Sequence, residues 1–316
     1  MRLAYFLIAA VLAVMMPADR AVPRYDHVFV IMDENKDYGR IIGSADAPEL
    51  TQLAHAYVLD SHFDAEAHPS EPNYVALVGG STFGMHDDAA YAEHTIDGAN
   101  LATQLEAAHL RWKEYLESIP SPGSLAVVAA DPSGKAAPPN VDVYAAKHSG
   151  FINFRSVQHD PHRAQELVGF DRLRADLAEG DVPAFGMIVP NLCNDMHGSN
   201  EPGTPEDCRY SNPGRLIRRG DRVAGGLVRE IMASPAWKAG NVAIVITFDE
   251  NEGGGPDGGW IPTIVITNHG PRHFVDATPY NHYSLLRTIE DAFGIQAHLR
   301  HAGDPNVVPM TASFAR

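Results

Sequence analysis

Residues 241–252 read NVAIVITFDENE: a nearly unbroken apolar run, Val242 to Phe248, breaks into Asp249, Glu250, Asn251 and Glu252. The run is short and rich in β-branched residues, the signature of a strand covered on both faces. The same pattern occurs twice more. HVFVIM at 27–32 leads into Asp33, Glu34 and Asn35, and AFGMIV at 184–189 leads into PNLCNDMH at 190–197. Further strands are expected over 112–116 and 261–267, and a loop over 130–140. Helical spacing marks 48–57 (Leu50, Leu53, Ala54 and Tyr57 on one face), 221–233 (Val223, Leu227, Val228, Ile231) and 282–293 (Leu285, Leu286, Ile289, Phe293). Strands alternating with helices predict an α/β fold with a mostly parallel central sheet flanked by helices.

In open sheets of this kind, ligands bind beyond the carboxyl ends of the strands. Each cluster alone reads as a solvated turn, but three gathered at one edge, with a serine beside them, point to a site. Carboxylates crowded together raise one another's pKa, and a divalent cation is the usual resolution. Oxygen ligands with an occasional histidine suit magnesium, calcium, manganese, zinc or iron.

A serine bears on the same edge. HPSEPNY at 68–74 places Ser70 between two prolines, just before the apolar helical stretch 74–78. Two readings compete. Ser70 is a helix N-cap with proline in the first turn, or it is a nucleophile at a helix amino-terminus that binds an anion. With a cation beside it, the second gives a phosphoseryl intermediate, with Asn73 holding a phosphoryl oxygen. No GxSxG elbow surrounds Ser70, and no Walker A loop occurs; Gly253-Gly254-Gly255 lacks the lysine partner.

The chain has 316 residues, ample for a buried core. Its net charge of −16 argues against nonspecific nucleic-acid binding. Met1-Arg2, the apolar stretch 3–16 and the small residues after Pro17 follow the order of a secretory signal, with cleavage after Ala18 or Ala21. The expected division is a signal peptide at 1–21 and one catalytic domain at 22–316. No later segment is long enough and apolar enough for a stable membrane span. In an exported chain, secreted or periplasmic, the two cysteines, Cys193 and Cys208, are expected to form a disulfide.

In this order the motifs resemble the bacterial phosphoesterase family of the alkaline phosphatase superfamily, closest to its secreted acid phosphatase branch. IMDENKDYGRIIG resembles the family's metal-binding Glu-Asn motif, giving Glu34 and Asn35. HPSEPNY resembles its nucleophile motif, giving Ser70 and Asn73, with His68 beside them. YAAKHSGFINF gives His148, VPNLCNDMH gives Asp195 and His197, and TFDENEGG gives Asp249 and Glu250 as a second metal motif. RGDR matches a Gly-Asp before a family helix, and HYSLLRTIED places His282. The resemblance implies an alkaline-phosphatase-like fold and a divalent metal ion on Glu34, Asn35, Asp249 and Glu250. Ser70, His148, Asp195 and His197 are then catalytic, and Asn73, His68 and His282 meet the substrate. The substrate is a phosphorylated small molecule or lipid headgroup, with phosphoinositides included. The family's phospholipase branch carries Asp-His-Val where Asp257-Gly258-Gly259-Trp260 stands here. The alternatives are a phospholipase C-type phosphodiesterase and a non-catalytic binding protein on the same scaffold.

Overall fold

The computed structural model describes residues 21–253 and 258–315. The expected signal segment up to residue 20, together with Gly254, Gly255 and Asp257, lies outside the described residues. The strands are β1 His27–Asp33, β2 Val58–Ala65, β3 Trp112–Leu116, β4 Val128–Ala130, β5 Asp142–Ala145, β6 Leu167–Val168, β7 Phe185–Val189, β8 Val242–Phe248, β9 Gly259–Thr267, β10 Phe274–Asp276 and β11 Tyr280–Asn281.

Among the described residues, nine strands form one sheet in the order β10-β2-β9-β8-β1-β7-β3-β6, with β11 also on β2. Strand β1 is central: Val30 lies opposite Met187 on one side and Val245 on the other, both in parallel register. Every residue of β8 is buried, as a strand covered on both faces requires. Only β9 runs against its neighbours β8 and β2. The segment joining β8 to β9, residues 249–258, is too short for the crossover that a parallel partner needs. Because β2 is antiparallel to β9, it points the same way as β8, and its carboxyl end meets the same edge.

The helices fall into two groups. Pro48–Ala56, Phe170–Glu179, Pro213–Ala233 and Pro235–Ala239 pack with one another, and Glu71–Gly79 packs with Leu101–Ala107 and His282–Ala292. One main hydrophobic core joins both groups to the sheet. The helix expected from residue 221 begins earlier, at Pro213, so Gly220 and Asp221 lie inside it and do not precede it. Asp221 caps a different helix: its carboxylate accepts from the Glu49 and Leu50 N–H groups, at 3.1 and 2.8 Å, at the start of Pro48–Ala56. No helix among the described residues is long and apolar enough to cross a membrane.

Candidate active site

The parallel strands deliver their following residues to one edge: Glu34 and Asn35 after β1, Asp249 and Glu250 after β8, Asp195 and His197 after β7, and Ser70 after β2. Helix Glu71–Gly79 starts at Ser70, is entirely buried and stops at Gly80 (φ 71°), where a Cβ would stand 2.3 Å from the Leu299 carbonyl oxygen. Ser70 occupies the N-cap position but makes no side-chain capping bond. Its hydroxyl instead faces Glu34 Oε2 at 3.1 Å and Glu250 Oε1 at 3.2 Å. Of the two readings of this serine, the cap is the one its side chain does not perform.

Glu34 sits at the centre. Its Oε2 accepts from Asn35 Nδ2 at 2.5 Å, and its Oε1 accepts from the Tyr74 hydroxyl at 2.7 Å and lies 3.0 Å from His148 Nε2. Tyr74, one turn after Ser70, also stacks on His148 with centroids 5.2 Å apart. Gly150 lets the segment bearing His148 approach this helix: a Cβ there would lie 2.4 Å from the Tyr74 carbonyl oxygen. His148 Nδ1 lies 3.3 Å from Asp195 Oδ2. Asp195 Oδ1 accepts from the His197 N–H at 2.7 Å, and His197 Nδ1 is paired with the Gly198 carbonyl at 2.7 Å, which leaves Nε2 toward the site. The Cys193–Cys208 disulfide closes the loop that carries Asp195 and His197.

The electrostatics are unbalanced. Burial, reinforced by Asp249 and Asp195, holds Glu34 well above the usual carboxylate range. Burial and then Asp249 push Glu250 up to about 9, and burial also raises Asp249 and Asp195. His197 is pulled down to about 4 by burial and Lys147, and His148 well down by burial, Lys147 and His197. Asp249 Oδ2 and both oxygens of Asp33 are buried without a hydrogen-bond partner. One oxygen or nitrogen from each of Glu34, His148 and His197 falls within 4.8 Å of the others. Crowded acids, neutral imidazoles and an orphaned carboxylate oxygen form a donor set that fits a divalent cation. Glu34 belongs to two overlapping groups. One oxygen turns to Ser70 and Asn35, the other to the histidines.

Two of the residues expected at the substrate, Asn73 and His282, hold the loop before Ser70 through hydrogen bonds. The Asn73 carboxamide oxygen accepts from Glu66 and Ala67 N–H groups at 3.0 and 3.1 Å, and its Nδ2 donates to the Ala67 and Pro69 carbonyls at 2.8 and 3.3 Å. It braces the loop 66–69. His282 is fully buried, with Nδ1 on Glu66 Oε2 at 2.5 Å and Nε2 on the Phe248 carbonyl at 2.9 Å. It ties the loop before Ser70 to the end of β8. His68 Nδ1 pairs with Glu250 and does reach the cluster. The sequence reading assigned no role to Tyr74, Lys147, Asp88 or Glu71. Tyr74 was legible at the i+4 position from Ser70, on the same helical face. Asp88 carries no sequence signal at all.

A family model described as the Phosphoesterase family matches residues 44–296. A phosphatidylinositol-3-phosphatase of Mycobacterium tuberculosis is 29% identical over 282 residues, covering 88% of this chain and 80% of that protein. An acid phosphatase of Aspergillus fumigatus is 26% identical over 292 residues, covering 92% of this chain. The chain spans 59% of the length of that fungal enzyme. Among solved structures, a protein in the alkaline phosphatase superfamily from Vibrio parahaemolyticus superposes with a TM-score of 0.55 at 12% identity, covering 90% of this chain and 72% of that one.

Proposed function

Because the chain belongs to the Phosphoesterase family, we propose that it is an exported, metal-dependent acid phosphatase that hydrolyses phosphomonoesters through a phosphoserine at Ser70. The observation that carries this reading is the Ser70 hydroxyl. It stands at the amino-terminus of a buried helix, free of capping duty and aimed at Glu34 and Glu250.

Glu34, Asn35, Asp249 and Glu250 would hold a divalent cation, with His148 and His197, each offering a nitrogen within 4.8 Å of a Glu34 oxygen, bordering it. When bound, it supplies Lewis-acid polarisation of a phosphoryl oxygen and a lowered pKa for a neighbouring hydroxyl. The chain's own residues do the rest. Ser70 Oγ attacks phosphorus as its proton passes to one of the two carboxylates it faces, Glu34 or Glu250; the bond from phosphorus to the ester oxygen breaks, and that oxygen takes up the proton and leaves as the alcohol. Fixing the hydroxyl between Pro69 and Pro72 keeps it near the line of attack. Asp195 orients His148 from one side and the His197 backbone from the other. Water then attacks the phosphoserine, the bond from phosphorus to Ser70 Oγ breaks, Oγ recovers a proton from that water, and phosphate departs.

The substrate is a phosphorylated small molecule or a lipid headgroup. The similarity to a phosphatidylinositol-3-phosphatase supports the headgroup reading. The disulfide supports an oxidising compartment, secreted or periplasmic.

Rapid acid quench with a labelled phosphomonoester is the test. Label should appear on the peptide containing Ser70, and chelation should abolish its formation. Ser70→Ala should fold, retain metal and lose turnover by about a thousandfold or more, while a phosphocholine diester is turned over poorly by the wild type. Fully active Ser70→Ala protein sinks the proposal.

A further inference from the structure

The loop 81–95 brings an acidic side chain to the helix amino-terminus that carries Ser70. Asp88 Oδ1 accepts from the Glu71 N–H at 3.0 Å, the donor next to Ser70 at the helix amino-terminus. Asp88 Oδ2 pairs with Lys147 Nζ at 2.6 Å. Lys147 Nζ is itself 3.5 Å from His197 Nε2, the nitrogen turned into the cluster. One carboxylate thus bridges the Lys147 ammonium, which borders the cluster at His197, and the Glu71 N–H, the donor next to Ser70. The loop backbone is anchored separately: buried Glu71 accepts from the Ala90 N–H at 3.1 Å, pairs with His94 Nδ1 at 2.9 Å, and takes Asn153 Nδ2 at 2.6 Å. Asp88 is 26% exposed, so its side chain alone can swing to solvent while the loop stays in place.

We propose that Asp88 is an internal stand-in for the substrate's phosphoryl group, and that Lys147 is the side-chain cation that binds the phosphoryl oxygens once Asp88 turns away. This rests on the phosphatase reading of the same site. A phosphoryl dianion brings more charge to Lys147 and the Glu71 N–H than a carboxylate does, so it wins the exchange. Asp88 in turn repels product phosphate and speeds its departure. Lys36, the other cation near the cluster, is spent on the Asn35 carbonyl at 2.7 Å and on Glu252 at 3.4 Å, so it does not substitute for Lys147.

The experiment uses the full, metal-loaded protein. Inorganic phosphate binding is measured by calorimetry, and phosphate inhibition, KM and kcat with a phosphomonoester are measured in parallel. Asp88→Asn keeps the shape and loses the charge; it should bind phosphate on the order of tenfold more tightly. Lys147→Met should weaken phosphate binding by about tenfold or more, and Lys147→Arg should recover part of it. In the Lys147→Met background the gain from Asp88→Asn should shrink, because the two charges act on one another. Asp88→Ser, which keeps an acceptor for the Glu71 N–H, is the second variant should Asp88→Asn fold poorly. A folded Asp88 variant with unchanged or weaker phosphate affinity overturns the proposal and makes Asp88 a loop anchor. A wild type that turns over no phosphomonoester overturns the phosphatase reading instead, and the calorimetric series then decides the Asp88 and Lys147 roles alone.

Discussion

Asn73 shows what a motif reports about a residue and what it does not. Its presence in HPSEPNY marks the site, but its side chain faces the backbone of 66–69, with both ends of the amide bonded. A carboxamide is the one group that can accept from two N–H groups and donate to two carbonyls in this small space. Ser70 is therefore presented by a loop that both Asn73 and His282 hold. Asn73→Ala should destabilise the fold by about 3 kcal/mol, since it leaves buried backbone groups unpaired. It should also lower kcat by displacing Ser70, with KM little changed. Urea unfolding alongside steady-state kinetics reads both. A variant of wild-type stability whose KM alone rises would return Asn73 to direct contact with the substrate.

At the scale of elements, legibility followed hydrophobic contrast. Strands β1, β7 and β8 are continuous apolar runs leading into acidic or amide clusters, so both their burial and the edge they share were readable. Strand β2 was not: VLDSHFDA interleaves Asp60, Ser61, His62 and Asp64 with its apolar residues and offers neither a clean alternation nor a run. The route by which Ser70 reaches the edge was invisible for that reason, although Ser70 itself was not. The position of Asp88 depends on loop geometry that no local pattern encodes. The cysteine pair was readable from count and compartment, and it closes residues 193–208 around Asp195 and His197. The loop is further pinned by Gly198 N–H on the Leu192 carbonyl at 2.6 Å and by Ser199 N–H on Cys208 at 2.9 Å. Reduction should lower stability by about 3 kcal/mol or less, since these bonds persist. It should also weaken metal retention, because His197 is positioned within the loop. Two free thiols with unaltered unfolding and metal content would separate this loop from the site.

For the whole molecule, the acid load has a consequence away from the active edge. Asp60, on β2, is fully buried, accepts from Ser313 Oγ at 2.5 Å, and leaves its second oxygen unpartnered. Burial, opposed by that hydrogen bond and reinforced by Asp276, raises its carboxyl from 3.8 to about 8. In the folded chain it therefore keeps its proton through a range in which the unfolded chain has lost it. The native state binds more protons than the unfolded state, so stability falls as pH rises. The contribution is fully present below the unfolded value, near pH 4, declines across the interval, and levels off above the folded value of about 8. The slope for this one acid is at most about 1.4 kcal/mol per pH unit. Glu114, also buried and raised to about 8, acts in the same direction. Comparing wild type with Asp60→Asn isolates the effect, because the histidines and the metal-site acids are common to both. Asparagine retains an acceptor for Ser313 and carries no proton to lose. The stability difference, wild type minus variant, should therefore be more favourable to the wild type at about pH 5 than at about pH 8, where it shrinks or reverses. Urea midpoints at both pH values measure it. A difference that stays constant, or grows with pH, would show that Asp60 is already ionised in the native protein.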